Sequence, residues 1–167
     1  MYLKAQPISD SSLNECGRVL TPLGGPAPAE GEIFSWKTIE SNLGMPDGGL
    51  LAGRFECRAR PIQTSRFECH HKTTELISAV TGDAIIFLAP PQNPDAGSAG
   101  EKDRYLRGLR AIILPRGHAI LLDRGAWHAI PFPVGRENVT LLVVFRDKTG
   151  EDDLHFFEMS EQAELAH

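Results

Sequence analysis

The sequence has only three cysteines, Cys16, Cys57 and Cys69. The number is odd and no pair has C-x-x-C spacing. That excludes a disulfide framework of the secreted kind and points to reduced thiols. There is no basic excess: 17 Lys and Arg stand against 22 Asp and Glu, for a net charge of −5. The basic residues are scattered along the chain. Nucleic acids and anionic membranes need a concentrated basic surface, so neither is expected as a partner. No run approaches the roughly 20 apolar residues of a membrane span. The opening MYLKAQPISD has no apolar core of signal-peptide length, so a cytoplasmic location is expected. Internal repeats, long amphipathic helices and a helix-turn-helix pattern are also missing. The Gly-Gly pairs at 24–25 and 48–49 precede no helix of a βαβ unit, which excludes a nucleotide-binding fingerprint.

What is present is ordinary globular composition, 41% hydrophobic and 23% charged over 167 residues. That length suits one domain, 1–167, with a real core. The first 30 residues read as a short strand, a short helix and an arm. Ser9 or Asp10 caps the helix and Gly17 ends it. The stretch TPLGGPAPAEG is a surface loop. From 31 to 160 the pattern is β. Strands are expected at 32–39, 49–60, 63–70, 74–80, 83–89, 109–115, 118–123, 127–132 and 138–147. The segments 49–60 and 63–70 read as neighbouring strands. Thr81-Gly82 reads as a tight turn joining 74–80 to 83–89. A polar, Pro- and Gly-containing loop covers 89–103. The tail reads as a last strand and a frayed helix. Many short strands broken by Gly, Pro and Asp argue for an all-β sandwich or barrel.

Two segments carry ligand-type residues. The first is Glu68-x-His70-x4-Glu75-x6-Gly82, inside ECHHKTTELISAVTG. The second is Gly117-x5-Asp123-x-Gly125-x2-His128. Residues at i and i+2 of a strand share a face. Glu68 and His70 therefore lie together, and Cys69 and His71 lie together on the other face. Either pair could be completed by Glu75 and His128 from other strands, at the mouth of a barrel. The set containing Cys69 and His71 would be softer and suit zinc. A structural histidine with no metal is the plain alternative.

At these residues the chain resembles the cupin superfamily. Its first motif, G-x5-H-x-H-x3–4-E-x6-G, is matched by Glu75 and Gly82, with Glu68 where the first His stands. Its second, G-x5-P-x-G-x2-H-x3-N, is matched by Gly117, Gly125 and His128, with Asp123 for Pro and Phe132 for Asn. The resemblance implies a double-stranded β-helix, or jelly-roll barrel, here with a short N-terminal helix. It narrows to the ureidoglycolate lyases, which carry E-R-H-x4-Q-x6-G and H-R-x-x-W-H-H. The corresponding residues are Glu68, His70, Glu75 and Gly82, then Asp123, Arg124, Trp127 and His128. Glu75 replaces Gln, and Asp123 and Ala129 replace His.

That resemblance implies one divalent transition metal, Ni, Zn, Mn or Fe, on Glu68, His70, Glu75 and His128, with His71 the alternative ligand. It implies an enzyme of purine catabolism that cleaves a C–N bond of ureidoglycolate, or a related small hydroxy acid, to glyoxylate and urea. It also implies a homodimer. Glu75, if not ligating, and Asp123 are the candidate acid–base groups. Arg54 and Arg58 share a strand face and could fork a substrate carboxylate, or could be a solvated face. Lys72 could reach the site mouth or be a surface lysine. Trp127 could stack on substrate or pack the barrel. A sugar-acid isomerase, an oxygenase or a non-catalytic binding cupin are the other activities compatible with the ligand set.

Overall fold

A computed structural model describes residues 1–20, 29–36, 43–45, 49–91 and 108–166. Most of the expected 89–103 loop, the arm at 21–28 and the end of the expected 32–39 strand lie outside these residues.

Strands dominate, and they form two facing sheets. The first sheet runs, in spatial order, through β1 (Tyr2–Leu3), β15 (His155–Leu165), β7 (Gln63–Cys69), β12 (Trp127–His128), β9 (Ala84–Ala89), β10 (Arg110–Leu114) and β2 (Ala5–Pro7), with β13 (Phe132–Pro133) also pairing with β9. The second runs through β3 (Gly17–Leu20), β11 (Ala119–Leu122), β8 (Glu75–Ala79), β14 (Val139–Arg146) and β6 (Leu50–Cys57). β4 (Ala29–Gly31) and β5 (Phe34–Trp36) pair only with each other.

The chain passes repeatedly from one sheet to the other, at β6 to β7, β7 to β8, β8 to β9, β10 to β11 and β14 to β15. That crossing pattern makes the fold an all-β jelly-roll barrel. It also corrects two expectations. Segments 49–60 and 63–70 are strands, but β6 and β7 belong to different sheets. Thr81-Gly82 is a corner between sheets, because β8 pairs with β11 and β14 while β9 pairs with β10, β12 and β13.

The reason is visible in β9. All six residues of AIIFLA are buried. Ala84, Ile86 and Leu88 face the core between the sheets, while Ile85, Phe87 and Ala89 join a second apolar cluster on the outer side of the first sheet. A strand apolar on both faces belongs in the middle of a sheet with cover on both sides. A simple hairpin with β8 would strand one of those faces in water. Each fully buried Ile, Leu or Phe contributes about 1.5–3 kcal/mol, so this placement outweighs the local convenience of a hairpin.

The N-terminal residues are part of the same assembly. β1 pairs with β15, β2 with β10 and β3 with β11. Between β2 and β3, the short helix α1 (Asp10–Leu13) carries Leu13 into the inter-sheet core. Ser9 is its N-cap: its hydroxyl accepts from the Ser12 N–H at 3.0 Å, and the Ser12 hydroxyl accepts from the Ser9 N–H at 2.9 Å. Gly17 does not end the helix, which stops at Leu13. Its role is close approach: a Cβ there would sit 2.1 Å from the Leu121 carbonyl oxygen. A second short helix, α2 (Thr149–Asp152), links β14 to β15. The tail is strand through Leu165, not helix.

Candidate functional site

The parity argument decides where the ligand-type residues go. On β7, Phe67 and Cys69 enter the outer apolar cluster. Glu68 therefore faces the space between the sheets. His70, immediately after the strand, keeps that direction. β12 lies beside β7 with His128 opposite Glu68. Glu75 opens β8 on the facing sheet. Four side chains from three strands thus meet at one end of the barrel.

Glu68, His70 and His128 each offer one ligand atom, and these atoms lie within 4.8 Å of one another. Glu75 approaches from the other sheet. Its Oε2 is 3.1 Å from His128 Nε2 and 3.7 Å from His70 Nε2. His128 Nε2 is 3.6 Å from Glu68 Oε1. His70, Glu75 and His128 are buried, at 5%, 7% and 3% exposure. Glu68 is half-buried.

The outer nitrogens of both imidazoles are committed. His70 Nδ1 meets the Asp153 carbonyl at 2.9 Å, and His128 Nδ1 meets the Ala126 carbonyl at 3.1 Å. A carbonyl only accepts, so each Nδ1 must carry the proton and donate. In the neutral rings the Nε2 lone pairs then point into the cluster. A backbone carbonyl behind each ring is the usual means of orienting a metal-ligating histidine. The second motif supports the first directly: Gly125, at φ +78, donates its N–H to the His70 carbonyl at 2.6 Å.

Glu75 Oε2 and His128 Nε2 have no hydrogen-bond partner. Two buried acceptors 3.1 Å apart repel unless a cation or a proton lies with them. Leaving such groups unsatisfied costs about 1–3 kcal/mol each. A divalent cation on Glu68, His70 and His128 would engage the His128 Nε2 lone pair and set its charge against the Glu75 carboxylate, and the donor set suits Ni, Zn, Mn or Fe. Without a metal, a proton fills the role. Burial alone would lower the His128 pKa, but the Glu75 and Glu68 carboxylates outweigh it and hold it up to about 10. Burial would raise the Glu68 carboxyl, but contact with His128 and the charges of His70 and Arg66 keep it below the usual range.

His71 is turned away. Its Nε2 is 3.5 Å from Cys69 Sγ, and its ring packs 4.6 Å from that of His155. The Cys69 thiol is pushed up to about 12 by burial and then by the Asp153 and Glu68 charges, so it is not a ready thiolate ligand. The alternative set built on Cys69 and His71 is therefore not assembled here.

Several candidate residues lie elsewhere. Asp123 pairs with Arg18 at 3.8 Å and its backbone forms the turn before β12. It does not reach the cluster, so the acid–base role suggested for it is withdrawn. Lys72 donates to the Asp152 carboxylate at 3.2 Å and carbonyl at 3.0 Å, outside the cavity. Trp127 is 7% exposed in the outer apolar cluster, edge-on to Phe157, so it packs the fold. Arg54 donates to Thr140 Oγ1 at 3.4 Å and is among the residues that line the cavity next to the cluster. Arg58 lies beyond the end of β6 and is exposed. The two arginines therefore form no joint fork: Arg54 lines the cavity with Leu51, Gly53 and Phe55, while Arg58 is not among its lining residues.

Asp153 was not among the candidates. It is 1% exposed, and its carboxylate accepts from the His71 N–H at 2.9 Å and the Lys72 N–H at 2.8 Å. With its carbonyl on His70 Nδ1, it ties down the whole segment after β7. No spacing rule points to it, since 83 residues separate it from His70.

A cavity of about 290 Å³ opens above the cluster. Its remaining walls are largely apolar, among them Ile77, Ile130, Val143 and Phe145. Such walls limit water around the cluster and strengthen its electrostatic interactions.

No family model matches the chain, and no curated protein matches it. Among solved structures it is similar to oxalate decarboxylase from Bacillus subtilis, at 15% identity and a TM-score of 0.42, over 66% of this chain and 24% of that one. A structure of the same enzyme studied for its Mn(II) centres gives 14% identity and a TM-score of 0.43, over the same shares. The chain thus matches about a quarter of the length of those proteins.

Proposed function

We propose that this protein is a divalent-metal-dependent enzyme acting on a small acid that chelates through a carboxylate and an adjacent hydroxyl or carbonyl oxygen. The single observation that carries the reading is the pair of partnerless buried atoms, Glu75 Oε2 and His128 Nε2, facing each other at 3.1 Å. Glu68, His70 and His128 are the ligands, and Glu75 stands beside them as the proton-carrying group. A bound divalent ion would supply Lewis-acid polarisation of the substrate hydroxyl.

The reaction we assign first is C–N cleavage of ureidoglycolate or a related α-hydroxy acid, in line with the motif resemblance. Glu75 takes the hydroxyl proton. The oxygen lone pair closes to a carbonyl as the C–N bond breaks, and the proton on Glu75 passes to the departing nitrogen. The products are an aldehyde acid and urea, with atoms and charge conserved. The buried position of Glu75, with a carboxylate oxygen free of donors, fits this two-way role. The test is release of urea and glyoxylate from ureidoglycolate by protein reloaded with Ni, Zn, Mn or Fe(II). No aldehyde product from ureidoglycolate or other α-hydroxy acids under any of these metals sinks the lyase reading.

One observation favours a second reading. Two histidines and one carboxylate with open positions are the ligand set of non-haem Fe(II) oxygenases, and the cavity walls are apolar. Substrate-dependent oxygen consumption with Fe(II) alone would favour that chemistry over the lyase.

A further inference from the structure

A second depression, of about 320 Å³, adjoins the ligand cluster, and Glu68, His128 and Ile130 line both it and the apolar cavity. Its own walls are different, because they bring two guanidinium groups, Arg60 and Arg66, to the edge of the cluster. Arg66 lies two residues before Glu68 on β7 and so shares its face, with Cα atoms about 7 Å apart at the usual strand rise.

Both guanidiniums are braced by aromatic faces. The Arg66 Cζ lies 4.0 Å from the Phe156 ring centroid, and the Arg60 Cζ lies 4.2 Å from that of Phe132. Arg60 is anchored further by donating to the Ile130 carbonyl at 2.9 Å and the Pro131 carbonyl at 3.2 Å. Stacking leaves the N–H edge of Arg66 able to fork a carboxylate, while Arg60, whose N–H groups donate to the Arg58, Ile130 and Pro131 carbonyls, adds its charge beside it. Among the described residues, no carboxylate forms an ion pair with Arg60 or Arg66. Two braced cations, with Glu68 the nearby carboxylate and no ion pair of their own among the described residues, give the depression a positive wall that can receive an anion.

We infer that Arg66, assisted by Arg60, binds a second carboxylate of the substrate, so that the ligand of this site is a diacid. One end chelates at Glu68, His70 and His128; the other lies along β7 against Arg66. The inference rests on the metal reading above and not on ureidoglycolate itself, which has one carboxylate; it selects, among related hydroxy acids, those with a second carboxylate.

The test uses the full chain loaded with manganese, and the probes are L-malate and L-lactate. They share the α-hydroxy acid head, and only malate carries a second carboxylate. Calorimetry should show malate binding about tenfold tighter than lactate, the size expected of one charge-assisted hydrogen-bonded pair near the surface. In Arg66→Gln, compared at equal manganese loading, the malate-to-lactate affinity ratio should fall to about one. Arg66→Lys, which keeps the charge but loses the fork, should retain part of the preference. Equal binding of the two acids by the wild type, or an undiminished malate preference in Arg66→Gln, overturns the subsite alone. A wild type that takes up none of Mn, Ni, Zn and Fe(II) overturns the metal reading and the diacid inference with it, and one that takes up another of these is tested with that metal in place of manganese.

Discussion

His128 and Glu75 come from opposite sheets of the barrel and meet with Nε2 and Oε2 3.1 Å apart, neither atom having a hydrogen-bond partner. His128 cannot turn away, because its Nδ1 is fixed by the Ala126 carbonyl. Something positive has to lie with this pair. In the metal-free protein it is a proton, and in the proposed metal-loaded protein it would be a divalent ion.

The pH dependence follows with a definite sign. The His128 pKa is held up to about 10, above the ordinary histidine value, by Glu75 and Glu68 acting against burial. A raised folded-state pKa stabilises the protein fully below the unfolded value of about 6.5, and that stability is lost as pH rises through the folded value. The melting temperature of metal-free protein should therefore fall between about pH 7 and pH 10, and less so in His128→Gln. Metal has to displace the same proton, so calorimetric metal binding at pH 8 should release about one proton. A flat stability profile with no proton release contradicts the assigned charge state.

Asp153 should matter to metal affinity although it is not a ligand. Asp153→Ala removes the acceptor for the His71 and Lys72 N–H groups and loosens the segment that holds His70. Loss of such supporting partners typically costs about 10–100-fold in metal affinity. Metal titration of Asp153→Ala should fall in that range, while Asp153→Asn, which keeps an acceptor oxygen, should lose less. Unchanged affinity in Asp153→Ala would show that the segment needs no such support.

The two carboxylates should separate in function. Glu68→Gln removes an anionic ligand and should weaken metal binding at least tenfold, on the scale of one lost charged contact. Glu75→Gln removes the proton carrier. It should keep most of the metal and lose turnover by about 100-fold or more, the usual contribution of a general acid–base group. Equal metal loss in the two variants would instead make Glu75 a fourth ligand.

Much of this site is legible in the chain. Strand parity sets His70 and His71 on opposite faces but leaves both sets open; the motif resemblance selects His70, and in the structure Phe67 and Cys69 join the outer cluster. The same parity could have singled out Arg66, two residues before Glu68. The crossovers are not legible, since alternation tells which way a side chain points but not which strand lies alongside. Pairing β6 with β7 from their nearness in sequence fails for that reason. Arg54 and Arg58 read as one substrate clamp because they share a strand parity, but β6 ends at Cys57 and only Arg54 lines the cavity. Asp123 looked acidic near a histidine, yet its turn sends it to Arg18. Asp153 reaches His70 from 83 residues away, through the turn after α2, and no local pattern announces such a contact.

The measurement that bears most directly on the central claim is elemental analysis of purified wild type beside His70→Ala, His71→Ala and His128→Ala. A buried His70 and His128, with their Nε2 atoms aimed at Glu68 and Glu75, predict close to one equivalent of transition metal in the wild type and in His71→Ala, and loss of it in the other two. Metal lost in His71→Ala but kept in His70→Ala, or no metal in any of the four proteins after incubation with Ni, Zn, Mn and Fe(II), would contradict the account.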